Sequence, residues 1–148
     1  MRRGLLLALL LLAAPAAAQE TEPQAQADRL MRIFVEQGLG AFLDTVLSET
    51  VLGADTNARR SIEDSRPRWA REIEAFGTMI DAVAAGERHY APVFRTVCYV
   101  VRFRRVPLFV HLRFYRTPER WNLLTFGWHD NVLNWECADG VPLTPRQR

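Results

Sequence analysis

Three residues have side chains of the types from which acid–base chemistry is built: Asp81, Tyr99 and His111. Asp81 stands among Met79, Ile80 and Val83. If 78–84 is a strand, burial raises the pKa of that carboxyl, which is the setting of a proton-abstracting base. If the segment is helical, Asp81 is a solvated surface acid. Tyr99 falls on the apolar side of a strand pattern, where its hydroxyl can donate to a ligand or find a partner in the core. His111 has the ordinary pKa of a general base. Strand alternation sends it to the polar face, away from Tyr99. His89 and His129 fall at strand ends. His129 and Asp130 are sequence neighbours, and neighbours on a strand point to opposite faces, so they make a poor dyad.

Around these three, the usual signatures of cofactor or metal chemistry are missing. The chain contains no HExxH, GxSxG, P-loop or GxGxxG pattern and no carboxylate run spaced for calcium. Cys98 and Cys137 have neither a CxxC partner nor a His cluster, so zinc is not expected. In an oxidising compartment the pair invites a disulfide; the other reading of Cys98 is a small buried hydrophobe in mid-strand. Cofactor and metal are therefore both expected to be none. Four Trp residues form core or pocket wall, and the candidates for lining a ligand pocket are Trp69, Tyr99, Phe114 and Trp121.

The elements that must position these side chains come in two blocks. Leu30, Ile33, Phe34 and Gln37 follow helical spacing, with Pro23 near the start and Gly38 as the stop. Phe42, Leu43, Val46 and Leu47 form the face of a second helix that ends by Gly53. A third helix over 57–76 is capped by Asp55 or Thr56 and turns Ile62, Trp69, Ile73 and Phe76 inward; Pro67 kinks it or marks its true start. Gly77 then serves as a helix C′ residue, and 78–84 reads as a first strand. A turn at Gly86-Glu87 leads into a second strand over 89–104, with Pro92 at a bulge or an edge. Strand three covers 108–116 and strand four 121–128.

Alternation in strand three places Leu108, Val110, Leu112 and Phe114 toward the helices, and Phe109, His111, Arg113 and Tyr115 on the far side. Val97, Tyr99, Val101 and Phe103 match the inner set. Thr96, Cys98, Val100 and Arg102 match the outer one. The outer face mixes aromatics with Arg and His, which suits a homodimer interface through the sheet. The fold class expected is α+β: three N-terminal helices packed on a curved antiparallel four-stranded sheet.

Residues 1–18 have the form of a signal peptide: Arg2-Arg3, a Leu-rich core, then Ala16-Ala17-Ala18 before Gln19. The apolar run is too short to be a transmembrane anchor. The expectation is a periplasmic or secreted chain with one domain over 19–134 and a mostly disordered tail over 135–148. There are 19 Arg, no Lys and 17 acidic residues; cleavage removes two Arg and leaves a formal charge of zero. A neutral domain lacks the basic field that nucleic-acid binding needs, and the absence of Lys excludes Schiff-base chemistry on a lysine.

Three helices, Phe76-Gly77, a strand and then a meander ending in FYRTPERWNLLTF resemble the nuclear transport factor 2-like (SnoaL-like) superfamily, in particular its secreted bacterial branch of uncharacterised proteins. The resemblance spans 28–131. It implies a conical pocket between sheet and helices, and dimerisation through the outer sheet face. Proteins of that superfamily include isomerases, dehydratases, hydrolases and binding domains, so fold does not select a function. The expected function is non-catalytic binding of a small apolar or amphipathic ligand, or an interaction module. The alternative is a cofactor-free isomerase, dehydratase or hydrolase with Asp81 as base and Tyr99 or His111 as its partner.

Overall fold

The computed structural model describes residues 22–137. The segment read as a signal peptide and most of the tail lie outside the described residues. In chain order the elements are α1 (Pro23–Glu49), α2 (Val51–Ala54), α3 (Thr56–Ala75), β1 (Met79–Ala91), β2 (Phe94–Phe103), β3 (Pro107–Arg116), β4 (Trp121–His129) and a 3-10 turn, Val132–Asn134. The chain is α+β, with helices first and an antiparallel meander in the order β1-β2-β3-β4 after them.

Local chemistry explains the boundaries. Pro23 occupies the first turn of α1, where a missing N–H costs nothing. Gly38, at φ 85°, breaks that helix into two pieces at the expected stop. Asp55 caps α3 by accepting from the backbone N–H of Asn57 and Ala58, each at 2.8 Å. Pro67 sits inside α3 rather than at its start. Gly77, at φ 88°, donates its N–H to the Glu74 carbonyl at 3.1 Å and ends the helix, and the chain goes straight into β1.

The first hairpin differs from the sequence expectation. Its turn is at Pro92-Val93, not at Gly86-Glu87, so β1 runs to Ala91 and β2 starts at Phe94. Proline pre-sets the backbone angle a tight turn needs. Gly86, at φ 136°, instead serves a register shift between Ala84 and Gly86. Further shifts occur between Met79 and Asp81 and between Arg113 and Phe114, and such bulges bend a sheet.

The core lies between α1 and the inner sheet face. Ten residues of α1 are buried, among them Leu30, Met31, Phe34, Phe42, Leu43 and Val46. They meet Val97, Tyr99 and Val101 of β2 and Leu108, Val110, Leu112 and Phe114 of β3, as alternation requires. Each such side chain taken out of water contributes about 1.5–3 kcal/mol. In α3 only Ile62 is buried. Trp69, Ile73 and Phe76 of that helix's end pack part-buried against the core, and the cleft beside them matters below.

The outer face carries its own cover. Cys98 and Cys137 form a disulfide with Cα atoms 6.2 Å apart. Trp135 packs on Phe109 at 5.2 Å between centroids and donates its indole N–H to the Val110 carbonyl at 3.2 Å. Glu136 pairs with Arg113, whose Nε donates to Oε2 at 3.0 Å. Trp135, Glu136 and Cys137, which the sequence reading gives to the tail, thus lie against the sheet; the rest of that tail, 138–148, is outside the described residues.

Candidate functional site

Two concave regions flank the core. The first is a groove of about 370 Å³ lined by Asp28, Met31, Arg32, Val35 and Glu36 of α1 together with Asp81, Ala82 and Tyr99 of the sheet. Tyr99 reaches it from the inner face of β2. Its hydroxyl donates to Asp28 Oδ1 at 2.6 Å, and Gln24 Nε2 donates to both the hydroxyl and Asp28 Oδ1, at 2.9 Å each. Burial, and then the Asp28 carboxylate, push the Tyr99 pKa well above the usual phenol range. The proton is committed to Asp28, which the sequence reading had not singled out. Its signal was there: Gln24 and Asp28 are four residues apart on one helical face.

Asp81 lines the same groove, but its environment is the reverse of the one expected. It stands opposite Arg102 in the β1–β2 register. Arg102 grips the carboxylate with two nitrogens, Nε donating to Oδ1 at 2.6 Å. That hydrogen bond holds the Asp81 pKa below the usual carboxylate range, against a smaller opposing effect of desolvation. The side chain is 40% exposed. A carboxylate in that state stays ionised and is a weak base, so burial does not raise its pKa as the strand argument requires.

His111 projects from the opposite face of β3 to Tyr99's partner Val110, between Cys98 and Gly127 in the register. The structure does not bring it near Tyr99 or Asp81. It is only 8% exposed, stacked on His129 at 5.7 Å, and its Nδ1 has no hydrogen-bond partner among the described residues. Burial, then the charges of Arg113 and His129, push its pKa down to about 4. Phe114 and Trp121 are buried in the core, and Arg95 stacks over the Trp121 ring at 4.8 Å. Of the four pocket-lining candidates, Tyr99 reaches the groove and Trp69 lines the second concavity.

That second concavity is a cleft of about 560 Å³ between the C-terminal half of α3 and the end of the sheet where β3 starts and β4 finishes. Trp69, Glu72, Ala75, Phe76, Leu108, Trp128, His129 and Asp130 line it. Helical spacing puts Trp69, Glu72 and Phe76 on one side of α3. The register that pairs Phe109 with His129 brings Leu108 alongside the end of β4. Trp69 and Trp128 meet at 5.0 Å and 70°, and Trp69 also meets Phe126 at 6.0 Å. Both indoles are half-buried. A smaller hollow of about 210 Å³ continues past Trp69, Phe126, Gly127 and Trp128. The sequence reading gives Trp69 and Phe76 inward-facing roles and Trp128 to core or pocket wall, but does not single out Glu72 and Asp130, because which ends of helix and sheet meet is a tertiary feature.

Among the described residues no group of three or more His, Cys, Asp or Glu is placed to hold a metal ion, and no helix is long and apolar enough to cross a membrane. Comparison with known proteins finds no family model, no curated protein and no solved structure that matches the chain.

Proposed function

We propose that this chain is a periplasmic or secreted domain of the nuclear transport factor 2-like type that binds a small apolar or amphipathic ligand in the cleft under α3, without catalysing a reaction on it. The observation that carries the reading is the 560 Å³ cleft with Trp69, Ala75, Phe76 and Trp128 on its wall and its polar groups at three positions, Glu72, His129 and Asp130. Ligand sites have this make-up, largely apolar with a small number of orienting polar groups. The Cys98–Cys137 bond supports an oxidising compartment, and the helices-then-meander order supports the superfamily assignment. A homodimer through the outer sheet face is proposed for the part that Trp135 to Cys137 leave open, where Val83 of β1 is 47% exposed.

The test is titration with the neutral fluorescent probe N-phenyl-1-naphthylamine. The wild-type chain is expected to bind it saturably, and Trp69→Ala to weaken binding by about 10-fold, equivalent to about 1.4 kcal/mol. Trp69 is half-buried, and an unchanged circular dichroism spectrum of the variant checks that it keeps its fold. Saturable binding that ignores Trp69→Ala would place the ligand elsewhere and overturn the proposal.

The alternative, a cofactor-free isomerase, dehydratase or hydrolase with Asp81 as base, draws less support because Arg102 lowers rather than raises that carboxyl's pKa. Asp81→Asn is expected to leave probe binding and the melting temperature unchanged. Turnover of any substrate found by screening, lost in Asp81→Asn, would reverse the choice.

A further inference from the structure

The charges on the cleft wall narrow the ligand class. Glu72 and Asp130 are the two carboxylates that line it, both on exposed residues, and neither forms an ion pair with a described residue. No Arg lines the cleft. The chain carries 19 Arg, yet the basic side chain on this wall is a histidine, His129. One guanidinium close by, Arg105, donates to the carbonyl of the lining residue Ala75 at 3.3 Å. It answers the negative end of α3 there without entering the wall. The same wall carries two indoles at 70° to each other, a corner in which one cationic group can contact both rings.

We propose that the cleft selects organic cations: amphipathic molecules with a quaternary or protonated amine, seated on Trp69 and Trp128 and paired with Glu72 and Asp130. Aromatic faces attract cations through the ring quadrupole, Trp most strongly, and quaternary ammonium groups are the ligands for which aromatic cages are best suited. The carboxylates add charge complementarity, and together the two features disfavour anions of the same shape. Ala75 and Phe76 supply the apolar wall for the rest of the molecule. The inference rests on the binding reading above and adds the charge of the ligand to it.

The experiment compares three probes of one shape by isothermal titration on the full-length chain: benzyltrimethylammonium, its uncharged isostere neopentylbenzene, and phenylmethanesulfonate. Benzyltrimethylammonium is expected to bind at least 10-fold more tightly than neopentylbenzene, and phenylmethanesulfonate more weakly than either. The double variant Glu72→Gln/Asp130→Asn should weaken the cation about 10-fold and leave the neutral probe unchanged. These are exposed positions, so folding is not at stake, and an unchanged melting curve checks that. If the neutral probe binds as well as the cation and both depend on Trp69, the cation inference falls and the binding reading stands. If none of the three binds, both fall.

Discussion

Breaking the Cys98–Cys137 bond is expected to cost about 4 kcal/mol of stability and to lower the melting temperature by about 15 °C. The bond closes a loop across a sequence separation of 39 residues, and the loop-closure entropy it removes from the unfolded chain sets that magnitude. It also fastens Trp135 and Glu136 to the outer sheet face. Three residues holding one indole hydrogen bond and one ion pair do not stay ordered easily without a tether, since fixing each backbone costs about 1–2 kcal/mol. The variant to use is Cys98→Ala/Cys137→Ser: Cys98 is fully buried, and Ser there would bury an unpaired hydroxyl. Thermal melts of the oxidised wild type and the variant measure the total. Trp135→Ala, made in both backgrounds, separates the tether from the packing. In the oxidised protein it should cost well over 1 kcal/mol, and in the double cysteine variant close to nothing, because the segment has already left the sheet. A melting shift of only two or three degrees would overturn the expectation.

How much of this was legible in the sequence depends on the range of the contacts involved. Period-two alternation put Leu108, Val110, Leu112 and Phe114 on the inner face and His111 on the outer one, and the structure has them there. The Gly38 break, the Asp55 cap and the Gly77 stop are each decided within a few residues, and each was readable. The first hairpin was not. Glycine at a positive φ marks both a tight turn and a bulge, and with Gly86 and Pro92 six residues apart the local signal does not choose between them. That displacement has a chemical consequence. The turn position sets the register, the register sets Asp81 opposite Arg102, and the pair turns a supposed buried base into a held, ionised carboxylate. The cleft was half legible: Trp69 and Phe76 stand at helical spacing, but whether such residues pack against the sheet or line a gap beside it depends on how far α3 stands away. The cover on the outer face at Phe109, Arg113 and Cys98 comes from residues beyond the last strand, and no periodic pattern marks a segment of three.

The burial of His111 on that face is why acid should destabilise this protein through that side chain. An exposed His gains a proton near pH 6.5 in folded and unfolded chains alike, with no effect on stability. His111 is 8% exposed, and burial with Arg113 and His129 nearby pushes its folded pKa down to about 4. The unfolded chain therefore binds a proton that the folded chain refuses. Stability attributable to His111 is complete above pH 6.5, declines as the pH falls toward 4, and levels off below it. At about 1.4 kcal/mol per pH unit the loss across that window is on the order of 3 kcal/mol. Two other histidines, His89 and His129, are present, so the assignment needs a difference measurement. His111→Leu cannot titrate, leaves no orphaned ring nitrogen, and fits a site flanked by Cys98 and Gly127. Urea unfolding of both proteins at pH 7.5, 6, 5 and 4 should show the variant gaining on the wild type as the pH drops. Proton NMR of the His111 ring gives the second readout, a midpoint near 4. A ring that titrates near 6.5 would mean that water reaches it in the folded chain, and the burial of His111 against Gly127 and His129 would be wrong with it.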